Sequence, residues 1–355
     1  MTIASRLAPL APWLLLLSGT VHGQTTIWTA SGTGNYSTGS NWGGGTSPGV
    51  PTGMTDAFIQ NGSLAAPTIV NLGPGAGGNV RNLTLGPDNM LNVGLNSSLT
   101  VFGASISNDG ALTVTGGSGT NSSLQLSNNV TLTGLGTVTL SYGDHNGNAF
   151  VEQSGGSFTL TNSTNTIQGD GVIGNGGLTF SNGASGTVNA NVSGQTLLLN
   201  GSGGITNAGL LEATGGGILQ LSANVANSGG TITAGNGTVD VSATITGGML
   251  TTAGTGILQT NGSAVLDAVT IAGSSAYTGP LGSTTALLGT ITNQGSVQLD
   301  AGSGSNTDLN IDANVDVYKR QVDAKTHSAG SFDWAILSCC AFGRSIFLAN
   351  HLWVS

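Results

Sequence analysis

Three phrases of similar form recur at a fixed interval in the middle of this chain. They begin at Asn207, Asn227 and Gly247 and read NAGLLEATGGGILQL, NSGGTITAGNGTVDV and GGMLTTAGTGILQT. Each phrase has a short alternation of apolar and polar residues, a Gly-x-Gly corner and a second alternation. Related phrases, NDGALTV and NQGSVQL, begin at Asn108 and Asn293. A repeat of about 20 residues predicts a stack of small supersecondary units.

The alternation inside each phrase indicates β-strands. A period of two places Ile, Leu and Val on one face of a strand and Thr, Ser, Asn and Gln on the other. Gly and Asn at the corners tolerate the positive φ that sharp bends require. One such coil cannot bury its apolar face alone, but stacked coils enclose a continuous core. The sequence therefore predicts an all-β fold, a right-handed parallel β-solenoid over residues 65–315.

About 20 residues per coil predicts roughly 12–14 coils and a rod about 60 Å long. The competing all-β architecture is a sandwich or barrel of antiparallel hairpins. That architecture would explain the alternation and the turns. It would not explain a recurrence at a fixed interval.

The two ends of the chain differ from the repeats. Residues 1–23 read as a secretory signal peptide, since Arg6 precedes a short apolar run, and cleavage is predicted before Gln24. Residues 24–64 contain large aromatics, including Trp28 and Trp42, and are predicted to form an N-terminal cap on the first coil.

The composition changes abruptly at the C-terminal end. Residues 316–321, DVYKRQ, resemble the translation of GATGTGTATAAGAGACAG, a transposase end sequence used in sequencing-library preparation. We therefore interpret residues 316–355 as an artefactual or chimeric tail, with the natural C-terminus missing. The tail holds both cysteines, Cys339 and Cys340, and is predicted not to extend the solenoid.

The charge balance argues against nucleic acid as a partner. Between residues 24 and 315 there are twelve acidic residues and one basic residue, Arg81, for a net charge of −11. A chain without a basic patch is a poor partner for nucleic acid. The acidic residues are scattered singly, which is typical of solubilising surface groups.

The densest group of ionisable residues is Asp144, His145 and Glu152. Such a group could supply a general acid and base, but we favour a polar loop projecting from one coil, because residues 24–315 hold one Arg and no Lys to stabilise developing negative charge. The segment GDGVIGNGG, which begins at Gly169, resembles part of a calcium repeat, but its aspartate does not recur in register. Zinc would need clustered Cys or His. We therefore predict no catalytic residues, no cofactor and no metal site.

Several further phrases carry a family resemblance. Asn41 and Trp42, the DAFI of residues 56–59 and the VRNLTLG of residues 80–86 resemble the opening of bacterial autotransporter passengers and β-strand-repeat surface proteins. The GGGILQL and NSGGTITA phrases resemble the same families and related sorting-anchored exported proteins. The resemblance implies an exported protein of the cell surface (outer membrane) or the extracellular space. Its implied partners are host or environmental glycans or cell-surface components, with membrane attachment only through a missing C-terminal region.

The sequence leaves two functions open and favours the first. The first is a non-catalytic rod with an adhesin or envelope-structure role. The second is a carbohydrate-active β-helix enzyme, either a polysaccharide lyase or a glycosidase. Flat faces of Thr, Ser and Asn would favour the rod, whereas clustered carboxylates beside aromatics on adjacent coils would favour the enzyme.

Overall fold

The alternating segments form strands throughout the chain. A computed structural model describes residues 23–143, 146–302, 304–311, 322–326, 335–339 and 344–348. Within these ranges it contains 39 strands, one 3₁₀ turn at Gly39–Asn41 and no α-helix. The strands belong to three sheets.

The first sheet has 15 strands: β1 (Gln24–Ile27), β3 (Thr55–Ile59), β6 (Leu83–Leu85), β9 (Ser105–Asn108), β12 (Val130–Thr133), β15 (Thr159–Asn162), β18 (Thr179–Asn182), β21 (Ile205–Asn207), β24 (Val225–Ala226), β27 (Thr244–Thr246), β30 (Ser263–Asp267), β33 (Thr284–Leu288), β36 (Thr307–Ile311), β38 (Ala335–Cys339) and β39 (Arg344–Leu348). The second has 12: β2 (Thr33–Asn35), β4 (Thr68–Leu72), β7 (Asn89–Val93), β10 (Ala111–Thr115), β13 (Thr137–Ser141), β16 (Thr166–Gly169), β19 (Thr187–Ala190), β22 (Leu210–Thr214), β25 (Thr231–Gly235), β28 (Met249–Ala253), β31 (Thr270–Ile271) and β34 (Thr292–Asn293). The third also has 12: β5 (Gly77–Val80), β8 (Ser98–Val101), β11 (Ser122–Leu126), β14 (Ala149–Gln153), β17 (Gly171–Gly174), β20 (Thr196–Leu199), β23 (Ile218–Leu221), β26 (Thr238–Val241), β29 (Ile257–Thr260), β32 (Ala276–Gly279), β35 (Ser296–Ala301) and β37 (Val322–Thr326).

Most strands pair in parallel with the strands three before and three after them in the chain. For example, β10 lies between β7 and β13, and β11 lies between β8 and β14. Three strands therefore make one coil, and the coils stack into a β-solenoid of about 11 turns. The predicted parallel β-solenoid is confirmed. Among the described strands only the β38–β39 pair is antiparallel, so the hairpin sandwich is excluded.

Each sheet turns one side chain in two toward a common core. We call residues at the same position of successive strands a column. Over ten successive strands, one inward column of the second sheet is aliphatic and buried: Val70, Leu91, Leu112, Val138, Ile167, Val188, Leu211, Ile232, Leu250 and Ile271. Burial of such side chains from every coil supplies the main driving force for stacking.

The coil length is less regular than the repeats suggested. Val225 pairs with Ile245, which keeps the interval of the repeat phrases as predicted. Near the N-terminus, however, Gln24 pairs with Thr55, a much longer interval, because the first coils have longer loops between strands. The predicted 12–14 coils are therefore too many, and about 11 are present.

The corner asparagines divide into two kinds. Asn236, inside a Gly-x-Gly corner, has a φ of 63° as expected. Asn207 and Asn227, which begin the repeat phrases, do not have positive φ; their side chains turn into the coil and are fully buried. For these two residues the sequence-based explanation was wrong, because a buried amide bonds to the neighbouring coils.

Residues 24–64, predicted as a cap, begin the stack of coils. Strand β1 pairs in parallel with β3 on one side. On its other side, Ile27 and Gly44 exchange backbone hydrogen bonds of 3.0 and 3.3 Å, and the backbone N–H of Ser47 donates to Thr25 O at 2.9 Å. Residues 44–47 thus cover the outer edge of β1, where an open sheet would otherwise present unpaired backbone groups.

The prediction that the C-terminal tail does not extend the solenoid is wrong. Strand β37 pairs in parallel with β35, and β38 pairs in parallel with β36, so residues beyond 316 do extend two of the sheets. The open end of a parallel sheet presents unpaired N–H and C=O groups that a short extended segment can satisfy. Residues 316–321 lie outside the described residues, and their origin in an adapter stays a prediction about the DNA.

Candidate functional site

Glu152 is the one member of the predicted ionisable group that can be placed. Asp144 and His145 lie outside the described residues. Glu152 belongs to β14 and is paired in register with Gln125 of β11 on one side and Gly174 of β17 on the other. It therefore lies in a solvent-facing column of the third sheet, half-buried between neighbouring coils.

Neutral amides bind both oxygens of the Glu152 carboxylate. Gln125 Nε2 donates to Oε1 at 3.3 Å, and Asn175 Nδ2 donates to Oε2 at 2.6 Å. One coil nearer the N-terminus, Thr100 Oγ1 donates to Gln125 Oε1 at 3.2 Å. The result is a ladder of side-chain hydrogen bonds along the rod, which orders the outer face of the third sheet.

Asp170 is the aspartate of the GDGVIGNGG segment, and the sequence did not indicate that its carboxylate would be buried. It occupies the corner between β16 and β17 and is 3% exposed. The backbone N–H of Tyr142 points to its Oδ1 at 3.4 Å. Burial raises the pKa of the Tyr142 phenol, and the charge of Asp170 adds to that shift.

The glycines beside Asp170 have a packing role. A β-carbon at Gly169 would fall 2.0 Å from Leu140 O, and the φ of Gly169 is 106°. The sharp corner between the second and third sheets therefore requires glycine at this position. That requirement accounts for the GDG sequence that resembles a calcium repeat.

Arg81, the one basic residue between positions 24 and 315, pairs with Asp56. Arg81 Nε donates to Asp56 Oδ1 at 2.6 Å, Nη2 donates to Oδ2, and Asn82 Nδ2 donates to Oδ1 at 2.8 Å. Partial burial would raise the pKa of Asp56. The bonds from Arg81 and Asn82 and the guanidinium charge outweigh burial, so the pKa is lowered. Arg81 therefore has a structural role, as the cation of an ion pair at the N-terminal end of the rod.

The outer face of the second sheet is almost uncharged. One half-buried column contains hydroxyl or amide side chains at every position but one: Asn71, Asn92, Thr113, Thr139, Gln168, Asn189, Glu212, Thr233 and Thr251. Some of these side chains bond along the rod, as between Asn92 Nδ2 and Asn71 Oδ1 at 2.8 Å. Such a face can donate and accept hydrogen bonds over much of the rod without presenting a strong field.

Metal-binding residues do not gather in the described part of the chain. No group of three or more His, Cys, Asp or Glu residues there could hold an ion. In the same ranges no helix is long and apolar enough to cross a membrane.

The comparisons with known proteins do not identify a relative. No protein-family model, no curated protein and no solved structure matches this chain. The resemblance to autotransporter passengers and other β-strand-repeat surface proteins rests on the sequence phrases. A solenoid shape is compatible with that resemblance but does not single out those proteins.

Proposed function

We propose that this chain is the rod of an exported, non-catalytic cell-surface protein with an adhesive or envelope-structural role. The observation that carries the proposal is the outer face of the second sheet, where in-register hydroxyl and amide side chains run from Asn71 to Thr251, interrupted only by Glu212. About 11 coils at roughly 4.8 Å each give a rigid rod about 50 Å long. A rod of this kind can hold a polar recognition surface away from a cell.

The environment of Glu152 supports a structural role for that residue. Glycoside hydrolysis ordinarily needs a second carboxylate within about 5–10 Å, on the other side of the scissile bond. Among the described residues, the side chains that bond to the Glu152 carboxylate are those of Gln125 and Asn175. Both side chains are amides from neighbouring coils, and their N–H groups hold the ionised carboxylate in a fixed position.

The test uses the full chain coupled to beads. We expect beads carrying the protein to be retained on cultured cell layers or on immobilised cell-wall polysaccharide under flow, above beads carrying albumin. The same preparation should release no reducing ends or unsaturated uronates from pectin, alginate or β-glucan. Absence of any retention would contradict the adhesive role.

Turnover of a glycan would favour the carbohydrate-active enzyme instead. The decisive variants are Glu152→Gln and Asp170→Asn, with Glu212→Gln as the matched control on the second sheet. Loss of turnover in either of the first two variants, with the control unchanged, would overturn the non-catalytic proposal.

A further inference from the structure

A polar groove lies at the corner between the third and first sheets, near the C-terminal end of the rod. Its volume is about 290 Å³, and its lining includes Asp240, Gln259, Asn261, Leu281 and Ser283. Asp240 belongs to β26 and Gln259 to β29, so they are neighbours in one column. The other three come from the corners that follow β29 and β32.

The core changes character beside this groove. The inward column of the third sheet runs Leu199, Leu221 and Val241, and then continues with Thr260. Thr260 Oγ1 lies 2.9 Å from the Tyr277 hydroxyl and 2.6 Å from Thr285 Oγ1. All three of these hydroxyl residues are 2% exposed or less. Hydroxyl groups in a core stabilise less than aliphatic ones, so their place beside the groove calls for an explanation.

Ser283 adds a second irregularity at the same place. It is 4% exposed, and its Oγ has no hydrogen-bond partner among the described residues. Buried polar atoms without partners are rare in folded proteins. Ser283 lines the groove, but its unsatisfied hydroxyl is buried, so the groups that a ligand could reach are those of its neighbours.

The groove offers fixed hydrogen-bonding groups. Gln259 Nε2 donates to Asp240 Oδ1 at 2.8 Å, which holds the carboxylate in one orientation. The side chain of Asn261 is exposed and brings an amide donor and acceptor. Leu281, 49% exposed, supplies an apolar surface beside these polar groups.

We propose that this groove binds one neutral pyranose unit of a glycan. A carboxylate and an amide can together accept from and donate to neighbouring sugar hydroxyls, while the C–H face of the ring packs on an aliphatic side chain. The volume of about 290 Å³ falls just below the range of about 300–1,000 Å³ for small-molecule sites, so the groove has room for no more than a single ring. This assignment rests on the proposed adhesive function and names the ligand class for it.

The charge of the rod selects against acidic sugars. Asp240 lies in the groove, and residues 24–315 carry a net charge of −11. Bringing a uronate carboxylate against Asp240 would place two like charges close together. The proposed ligand is therefore a neutral hexose and not a uronic acid.

The test is saturation-transfer NMR on the full chain with D-galactose, D-glucose, D-mannose and D-galacturonate as separate probes. We expect transfer to at least one neutral hexose and none to galacturonate. The Asp240→Asn variant keeps the shape and the Oδ1 acceptor, and it should bind that hexose about tenfold more weakly because a charged acceptor is lost. Asp267→Asn, on β30 of the first sheet, is the matched control and should bind like the unaltered chain.

Three results would overturn the assignment: no transfer to any neutral hexose, equal binding by Asp240→Asn, or stronger transfer to galacturonate. Unfolding curves of both variants establish that they fold. Bead retention separates this proposal from the adhesive function. If Asp240→Asn beads are retained as well as unaltered beads, the groove is not the adhesive site but the adhesive function stands. If no beads are retained, the function itself fails.

Discussion

Asn182 Nδ2 donates a hydrogen bond of 2.9 Å to Asn207 Oδ1, and the two residues occupy the same buried corner of consecutive coils. Asn162 donates to Asn182 in the same way at 2.9 Å, and Asn207 donates to Asn227 at 2.7 Å. The ladder ends where Asn227 Nδ2 donates to Gly247 O, because the third repeat phrase begins with glycine. Side-chain amides thus link four coils through the interior of one corner, and the last amide bonds to the backbone of a fifth coil.

Removing one rung of this ladder should destabilise the rod. In Asn207→Ala, Asn182 loses its amide acceptor and Asn227 loses its amide donor, both in a buried corner. We expect the free energy of unfolding to fall by about 2–4 kcal/mol, measured by urea denaturation. Asn189→Ala, in the outer column of the second sheet, is the control and should cost less than about 1 kcal/mol. Equal losses would show that the ladder does not stabilise the fold.

The aromatic cluster of the first coil predicts a second strong effect. The ring of Trp42 meets Trp28 edge to face at 5.0 Å and Tyr36 at 5.2 Å, and its Nε1 donates to Tyr36 O at 2.7 Å. Trp42→Ala should cost about 3–5 kcal/mol and reduce the near-ultraviolet circular dichroism. Phe102→Ala, at a residue 44% exposed, should cost much less. A loss at Trp42 no larger than that at Phe102 would contradict the role of this cluster as the support of the first coil.

Corner glycines should differ in their tolerance of a methyl group. A β-carbon at Gly256 would fall 1.8 Å from Ala234 O, whereas one at Gly273 would have nothing within 4 Å. Neither glycine has positive φ, so the comparison isolates steric overlap. Gly256→Ala should lower the unfolding free energy by about 2 kcal/mol or more, and Gly273→Ala should change it by about 0.5 kcal/mol or less. Similar thermal melting of the two variants would refute close coil contact at Gly256.

The Arg81–Asp56 pair predicts a pH-dependent contribution to stability. Because the folded-state pKa of Asp56 is lowered, its contribution is present above its ordinary pKa of 3.8 and is lost as pH falls through the folded value. Arg81→Gln should therefore lower the unfolding free energy by about 0.5–1 kcal/mol near neutral pH. The difference from the unaltered chain should shrink as the pH falls below 3.8. A constant difference from neutral pH down to well below that value would argue against the ion pair as its source.

Much of the fold can be predicted from the sequence, because the alternation of apolar and polar residues within each strand indicates which face is buried and which is exposed. The alternation in NAGLLEATGGGILQL already places Leu211, Leu219 and Leu221 inside, and all three are buried. The repeat interval predicts which residues stack where it holds, as for Ile205, Val225 and Ile245. These are local properties, so local sequence is sufficient to predict them.

The candidate sites are less readable, because they depend on which coils become neighbours. Glu152 was singled out for its nearness in sequence to Asp144 and His145, yet the described side chains that bind it are those of Gln125 and Asn175, 27 and 23 residues away. The groove beside Asp240 joins residues from three successive coils, and no motif in the sequence marks it. The repeat phrases did mark Asn207 and Asn227, but the sequence suggested a backbone role for them instead of a ladder.

The sequence by itself determined the class of fold: strands with one apolar face, joined by tight corners and repeated often enough to stack. The tertiary structure decided the coil lengths, the covering of the β1 edge, the ladder of buried amides and the addition of β37 and β38. The physical reason is that alternation and turn chemistry act within a few residues. A hydrogen bond between coils, in contrast, depends on register over a whole coil, which is set only when every loop between the paired strands has closed.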